Sequence, residues 1–165
     1  MTQRRHVPGG AAACLLLLLF LISEALAQTI QVTDADGHST SVTTAQVFRL
    51  PHVTVAVQDH DRPTQFEGVP LSSILSLAGI LLGDALRGPR MSDVLVVGAI
   101  DGYKAAFALA EIDPAFATRE IVLADRRDGK PLDDKEGPLR VVVPGDKRPA
   151  RWVRQVITLR IVAAR

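Results

Sequence analysis

Apolar and polar positions change rhythm about every ten residues along this chain. Residues 11–22 form an unbroken apolar run, and beyond it the segments are short and mostly alternate with a period near two. Thr29–Thr33 and Ser39–Thr43 are β-rich and flank Asp34-Ala35-Asp36-Gly37-His38, which predicts a hairpin with Asp-Gly at its turn. Residues 44–50 predict a short helix stopped by Pro51, and residues 52–57 alternate as a strand with one buried face. Leu71, Ile74, Leu75 and Ala78 share one face of a predicted helix over residues 72–78, with Gly79 as its stop. Residues 80–89 read as a loop with partial helical character. Residues 93–100 form an apolar strand, Asp101-Gly102-Tyr103 a turn, and residues 104–109 the returning strand. A single helical turn is expected at residues 110–114, a short buried strand at 121–124, a charged turn at 125–129 and a polar connector at 130–137. Residues 139–143 form a buried strand closed by Pro144-Gly145, and residues 153–162 form a further strand. Seven to nine short strands with two to four short helices make this an α+β domain built on mixed β-sheets.

The apolar run belongs to a leader. Arg4 and Arg5 precede it, and Ser23-Glu24-Ala25-Leu26-Ala27 ends in an Ala-x-Ala cleavage pattern. A run of 12 residues falls short of the ~20 that a bilayer span needs. The expectation is a signal peptide over residues 1–27, cleaved near Ala27–Gln28, and a periplasmic or otherwise exported single domain over residues 28–165. Stable membrane insertion of that mature chain is not expected. Arg4-Arg5 invites a twin-arginine reading, but its context is poor and ordinary unfolded export is favoured. Without Arg4, Arg5 and Glu24 the chain keeps 17 basic and 17 acidic residues, which excludes a general nucleic-acid or anionic-membrane binder and makes any basic site local. The single cysteine, Cys14, sits in the leader. The mature chain therefore has no disulfide, thiol nucleophile or thiolate metal ligand.

Chemistry concentrates in residues 144–152, where Lys147, Arg148 and Arg151 stand beside the only tryptophan, Trp152. Arginine offers forked donors to phosphate, carboxylate or a heterocycle edge, and tryptophan offers a stacking face with one N–H. The plainer reading is a solvated basic turn with Trp152 as a core anchor. Gln58-Asp59-His60-Asp61 holds weak metal candidates in His60 and Asp61, with His52 in conceivable reach; the plainer reading there is a solvated loop tip. Asp34 and Asp36 lack the remaining ligands of a calcium loop and read as turn residues.

Several motifs follow in a recognisable order: Phe66-Glu67-Gly68-Val69-Pro70-Leu71 before a helix ending in Ala78-Gly79, then Asp101-Gly102-Tyr103 after an apolar strand, then Leu123-Ala124 with Asp128-Gly129-Lys130-Pro131-Leu132. Gly137-Pro138-Leu139-Arg140-Val141-Val142-Val143-Pro144-Gly145 and Arg151-Trp152-Val153 complete the series. Over about residues 50–162 the chain resembles the molybdopterin-binding domain of the sulfite oxidase family. The resemblance implies the sulfite oxidase fold and a cradle for the pterin and phosphate of the molybdenum cofactor. It also implies a metal held by a cysteine on the loop before the Gly-Val-Pro-Leu segment. Here that loop is residues 57–65 and has no cysteine. By resemblance, Arg140, Arg148, Arg151 and Trp152 lie on segments that approach the cofactor, with Asp101 and Tyr103 on another. Trp152 or Tyr103 would stack on a pterin, Asp101 would accept from its amino–amide edge, and arginine would donate to its oxygen. Each also has a structural reading: Asp101-Gly102 as a tight turn, Tyr103 as a sheet residue, Arg140 as partner to a local aspartate. The chain looks like the small periplasmic members that bind reduced pterins and signal to a membrane partner. It reads as a pterin sensor or carrier rather than an enzyme, its ligand a reduced pterin without molybdenum. The alternative is a molybdopterin-dependent oxidoreductase, or its subunit, with His60 or Asp61 as the metal ligand. A scaffold that kept the fold and lost all ligands is the third possibility.

Overall fold

The structure, a computed structural model, describes residues 28–163, so the expected leader, its cleavage site and Cys14 lie outside the described residues. Two five-stranded sheets pack about one core. The first has the order β2-β1-β10-β5-β6, from β1 (Thr29–Thr33), β2 (Ser39–Thr43), β5 (Val94–Ala99), β6 (Lys104–Ala108) and β10 (Val156–Val162). Only its β1–β10 pair is parallel. The second joins β3 (Val53–Asp59), β4 (Arg62–Pro70) and β7 (Val122–Arg127), with β8 (Lys130–Pro131) and β9 (Arg140–Val142) both paired to β7. The α+β class and mixed sheets match the sequence reading. Among the described residues no helix is long and apolar enough to cross a membrane.

Local chemistry explains most elements. Asp34 Oδ1 accepts the N–H groups of Asp36 and His38, each at 2.9 Å, which closes the β1–β2 turn around Gly37 at φ 91°. Thr43 and Gln46 form a reciprocal capping box that starts α1 (Thr44–Val47). In α2 (Leu71–Leu77) the apolar face of Leu71, Ile74 and Leu75 is fully buried, and Gly79 at φ 86° ends the turn after it. A single turn, α3 (Leu109–Ile112), follows β6 directly.

Three boundaries depart from the sequence reading. Residues 58–64 are not a loop tip; they are the closed end of a hairpin, with β3 and β4 paired from Val53–Gly68 to Asp59–Arg62. The inward alternation continues through Val57, Asp59, Thr64 and Phe66, all buried; its two polar members hide it from a hydrophobicity scan. The turn itself is His60-Asp61, both at positive φ (48° and 65°), the backbone of the two-residue turn that matches strand twist. The charged segment 125–129 is mostly strand, with only Asp128-Gly129 turning (φ 49° and 75°). The last strand starts at Val156 because Gln155, at φ 47°, breaks it.

The stretch from β9 to β10 crosses between the sheets. Val141 N–H donates to the Val153 carbonyl at 2.8 Å and Val156 N–H to the Leu139 carbonyl at 3.0 Å, so the second limb returns along the first before entering the other sheet. Leu139, Val141, Val142, Val143, Val153 and Val156 are all fully buried along it.

Gly68 marks a close approach of backbones, at a bulge where β4 meets β7. A Cβ there would stand 2.3 Å from the Leu123 carbonyl oxygen and 2.4 Å from Ala124 Cα. Gly68→Ala should therefore cost more than about 3 kcal/mol, read by chemical denaturation. Gly68→Ala melting like the unmodified protein would show that the two strands can separate at little cost.

Candidate functional site

The site rests on a buried ion cluster. Asp59, at the end of β3, is 2% exposed, and Arg140, in β9, is 4% exposed. Arg140 Nη1 donates to Glu136 Oε1 at 2.6 Å and lies 3.9 Å from Asp59 Oδ2. Arg127, in β7, reaches Asp59 Oδ2 at 3.0 Å and Glu136 Oε1 at 3.3 Å. The Arg140 guanidinium lies over two rings, 5.2 Å from the centroid of Phe66 and 5.5 Å from that of Trp152, a contact strengthened by exclusion of water. Phe66 and Trp152 meet edge to face, at 6.0 Å and 88°. Burial pulls the Arg140 pKa down, Glu136 and Asp59 pull it back up, and nearby Arg154 adds to the lowering.

Above the cluster opens a cleft with two lobes that share His60, Pro149 and Trp152 as a common wall. The larger, about 990 Å³, lies between the β3–β4 hairpin and residues 145–149, with Lys147 and Arg148 on its rim. The smaller, about 370 Å³, is lined by Asp101, Tyr103, Arg140 and Arg154 among others. Lys147, Arg148 and Arg154 are exposed and, among the described residues, no hydrogen bond or ion pair engages them. The nearby carboxylates are mostly occupied. Asp146 pairs with Arg151, Asp128 Oδ1 accepts the Gln65 N–H, and Asp101 Oδ1 accepts the Tyr103 N–H. Each of these three cations is therefore open to an anionic group on a ligand, while the carboxylates of Asp61, Asp101 and Asp128 stand in the same lining and balance them in number.

The sequence candidates separate. Arg148 stands on the larger lobe, and Asp101, Tyr103, Arg140 and Trp152 gather at the smaller one. Tyr103, half exposed, donates its hydroxyl to the Ala150 carbonyl and so presents a fixed ring. Trp152 lines both lobes but is only 4% exposed, so it is chiefly a core anchor, with little face left for stacking. Arg151 lies outside both lobes. Its fork holds Asp146 at 2.9 and 3.0 Å, its Nη1 reaches Glu111 at 3.2 Å, and its Cζ sits 4.9 Å over the Phe107 ring. The Asp146 hydrogen bonds raise its pKa, with Glu111 contributing. Its donors are taken by a structural ion pair, as expected for a bidentate fork beside a carboxylate.

His60 lines both lobes and Asp61 the larger one, but His52 is elsewhere, bonded to the Leu50 carbonyl at 2.8 Å and to Asp125 at 3.0 Å. The two histidines do not combine into a metal site. Among the described residues the one group of three possible ligands is Asp34, Asp36 and His38 on the β1–β2 turn, with Asp36 and His38 exposed and Asp34 partly so. Sequence reasoning missed Arg154, Arg127 and Glu136, and met Asp59 only as one of two aspartates flanking His60, not as the buried partner of the arginines. Arg154 was legible as the second arginine flanking Trp152, and Asp59 as the next inward position after Val57.

The donor set fits an anionic, flat, hydrogen-bonding group such as the pterin and phosphate of molybdopterin: free cations at the rim, a fixed tyrosine ring, and Arg140 and Trp152 in the wall, whose buried Nε and Nε1 have no partner. It does not fit the family's way of holding molybdenum, since residues 57–65 offer no thiolate. The family model described as the oxidoreductase molybdopterin binding domain matches residues 61–164. Among solved structures, the sulfane dehydrogenase SoxCD from Paracoccus pantotrophus shares the fold, with a TM-score of 0.64 at 19% identity over 83% of this chain. The match spans 38% of that chain's length. No curated protein matches.

Replacing Arg140 by methionine leaves the buried Asp59 and the partly buried Glu136 with Arg127 as their shared arginine. The expected loss of stability is about 3–5 kcal/mol, against about 1 kcal/mol for Arg151→Met, whose pair is one-third exposed. Urea denaturation of both variants checks this. Equal losses would remove Arg140 from the centre of the fold.

Proposed function

The chain belongs to the oxidoreductase molybdopterin binding domain family, and on that premise we propose that it is an exported pterin-binding protein, a sensor or carrier, whose ligand is a reduced pterin without molybdenum. The observation that carries this reading is the pairing of free cations at both lobes with the lack of any cysteine in residues 57–65. Lys147 and Arg148 would hold an anionic substituent, Arg154 would face the smaller lobe, and of the two expected stacking residues Tyr103 rather than Trp152 would supply the face. A reduced pterin supplies an oxidisable ring; the protein supplies position and charge. The leader-like residues 1–27 support export, and a membrane-bound protein with a periplasmic domain would be the partner that receives the signal. The competing reading is a molybdenum-dependent oxidoreductase, in which His60 and Asp61 at the lip of the cleft would have to replace the thiolate.

Full-length protein expressed with export should carry a pterin, identified by mass spectrometry, and no stoichiometric molybdenum. Lys147→Ala with Arg148→Ala should weaken binding of a phosphorylated tetrahydropterin by roughly ten-fold or more, with the denaturation midpoint unchanged. Stoichiometric molybdenum would establish the competing reading, and unchanged affinity would remove the rim cations from the site.

A further inference from the structure

The outer strand of the second sheet is β3, and its pairing with β4 fixes which of its backbone groups are free. Asp59 and Arg62 flank the two-residue turn and face each other as a hydrogen-bonded pair. The positions of β3 bonded to β4 are therefore Asp59, Val57, Val55 and Val53. Gln65, opposite Ala56, agrees with this alternation. Its N–H donates to Asp128 Oδ1 at 2.9 Å and its carbonyl accepts the Asp128 N–H at 2.8 Å, both on the side away from β3. The N–H and C=O groups of Thr54, Ala56 and Gln58 thus point out of the sheet along its edge. All three residues are exposed, and among the described residues nothing bonds to these groups.

The other edges are shorter and better closed. In β2 the N–H of Thr43 donates to Gln46, and in β6 the N–H of Ala108 donates to Glu111, while Lys104 sets a charge at the far end. Those strands have five residues and β8 has two, against seven in β3. Residues 53–58 hold no charge and no proline, and their pairing with β4 runs without a bulge. Charges, prolines and bulges are the devices that keep an edge from pairing with another chain.

We propose that β3 is a homodimerisation edge, on which two copies of this chain pair antiparallel about a two-fold axis at Ala56. That axis sets Ala56 against itself, Thr54 against Gln58 of the second copy, and Val55 against Val57 of the second copy. Every outward residue then meets an outward residue, for roughly six main-chain hydrogen bonds, two for each facing pair. Moving the axis to Val55 or Val57 leaves an outward residue of each copy opposite His52 or His60, outside the strand. An identical copy therefore matches this edge in length and register, and neither copy brings a charge to it. Ala56, Val57 and Gln58 also line the larger lobe of the cleft, so the second copy stands along that wall. The inference does not depend on what the cleft holds.

The test uses full-length protein expressed with export. Sedimentation over a concentration series should show a monomer–dimer equilibrium. Amide exchange at Thr54, Ala56 and Gln58, followed by NMR, should slow by roughly ten-fold or more from dilute to concentrated protein. Exchange at Val55 and Val57, already bonded to β4, should change little. Ala56→Lys and Ala56→Glu each set like charges face to face at the axis. Both should remain monomeric with an unchanged denaturation midpoint, because Ala56 is exposed. An equimolar mixture of the two variants should recover the dimer, an outcome particular to an axis that passes through residue 56. Unmodified protein that stays monomeric throughout, its edge then left for the strand of a different protein, would overturn the inference. So would a dimer that survives Ala56→Lys, or a mixture of the folded variants that stays monomeric. If either variant unfolds, the exchange pattern of the unmodified protein decides.

Discussion

The guanidinium of Arg140 is the constraint on which the rest of the architecture turns. It is enclosed between Phe66 and Trp152, and its charge is answered by Glu136 and, more distantly, Asp59. Those residues come from the β3–β4 hairpin, the connector before β9, and the segment that crosses to the other sheet. One charge thus ties together parts of the chain far apart in sequence. Removing a charge from water is expensive, and only a well-formed set of partners compensates for it. The arrangement favours one mutual placement of hairpin, strand and crossing segment over others that would bury the same apolar area. Trp152 is held by this cluster as much as it holds it, which is why a residue that looks like a stacking platform in sequence has so little exposed surface.

Most of the fold was legible because its strands are short, apolar and punctuated by Asp-Gly, Pro-Gly and Gly turns. The element that escaped was β4, together with the closed end of β3. Asp59 and Thr64 occupy inward positions there, and polar residues at such positions are indistinguishable from loop residues without knowledge of their partners. The partners of Asp59, Arg127 and Arg140, lie some seventy to eighty residues away in the sequence. The same blindness applies to Arg151. Its adjacency to Trp152 suggested a ligand contact, but whether its fork faces a cleft or a carboxylate depends on Asp146 and Glu111, and Glu111 sits on a helical turn after another strand. Tyr103, Asp101 and Arg148 do line the cleft, and each lies on or beside a turn that leaves its side chain at the surface.

Much of the cleft is built by backbone. Backbone approach at Gly68, the crossing segment and the turn after β5 all build a cradle, and none of them needs a metal. The lack of a thiolate in residues 57–65 alters one donor and leaves the cradle intact. At the lip stands a histidine–aspartate turn, a pair whose ligand preferences differ from those of a thiolate.

The common wall between the two lobes has a consequence for any ligand with two ends. His60, Pro149 and Trp152 border both spaces, so a molecule seated in one already holds its other end beside the next. The second contact is then intramolecular, governed by an effective concentration that can reach the millimolar range for a short flexible connection. Two individually weak contacts can therefore yield slow release. A fragment that fills one lobe alone gains none of this and competes poorly, however well it matches that lobe. Retention in such a cleft becomes a measure of molecular length as much as of chemical fit.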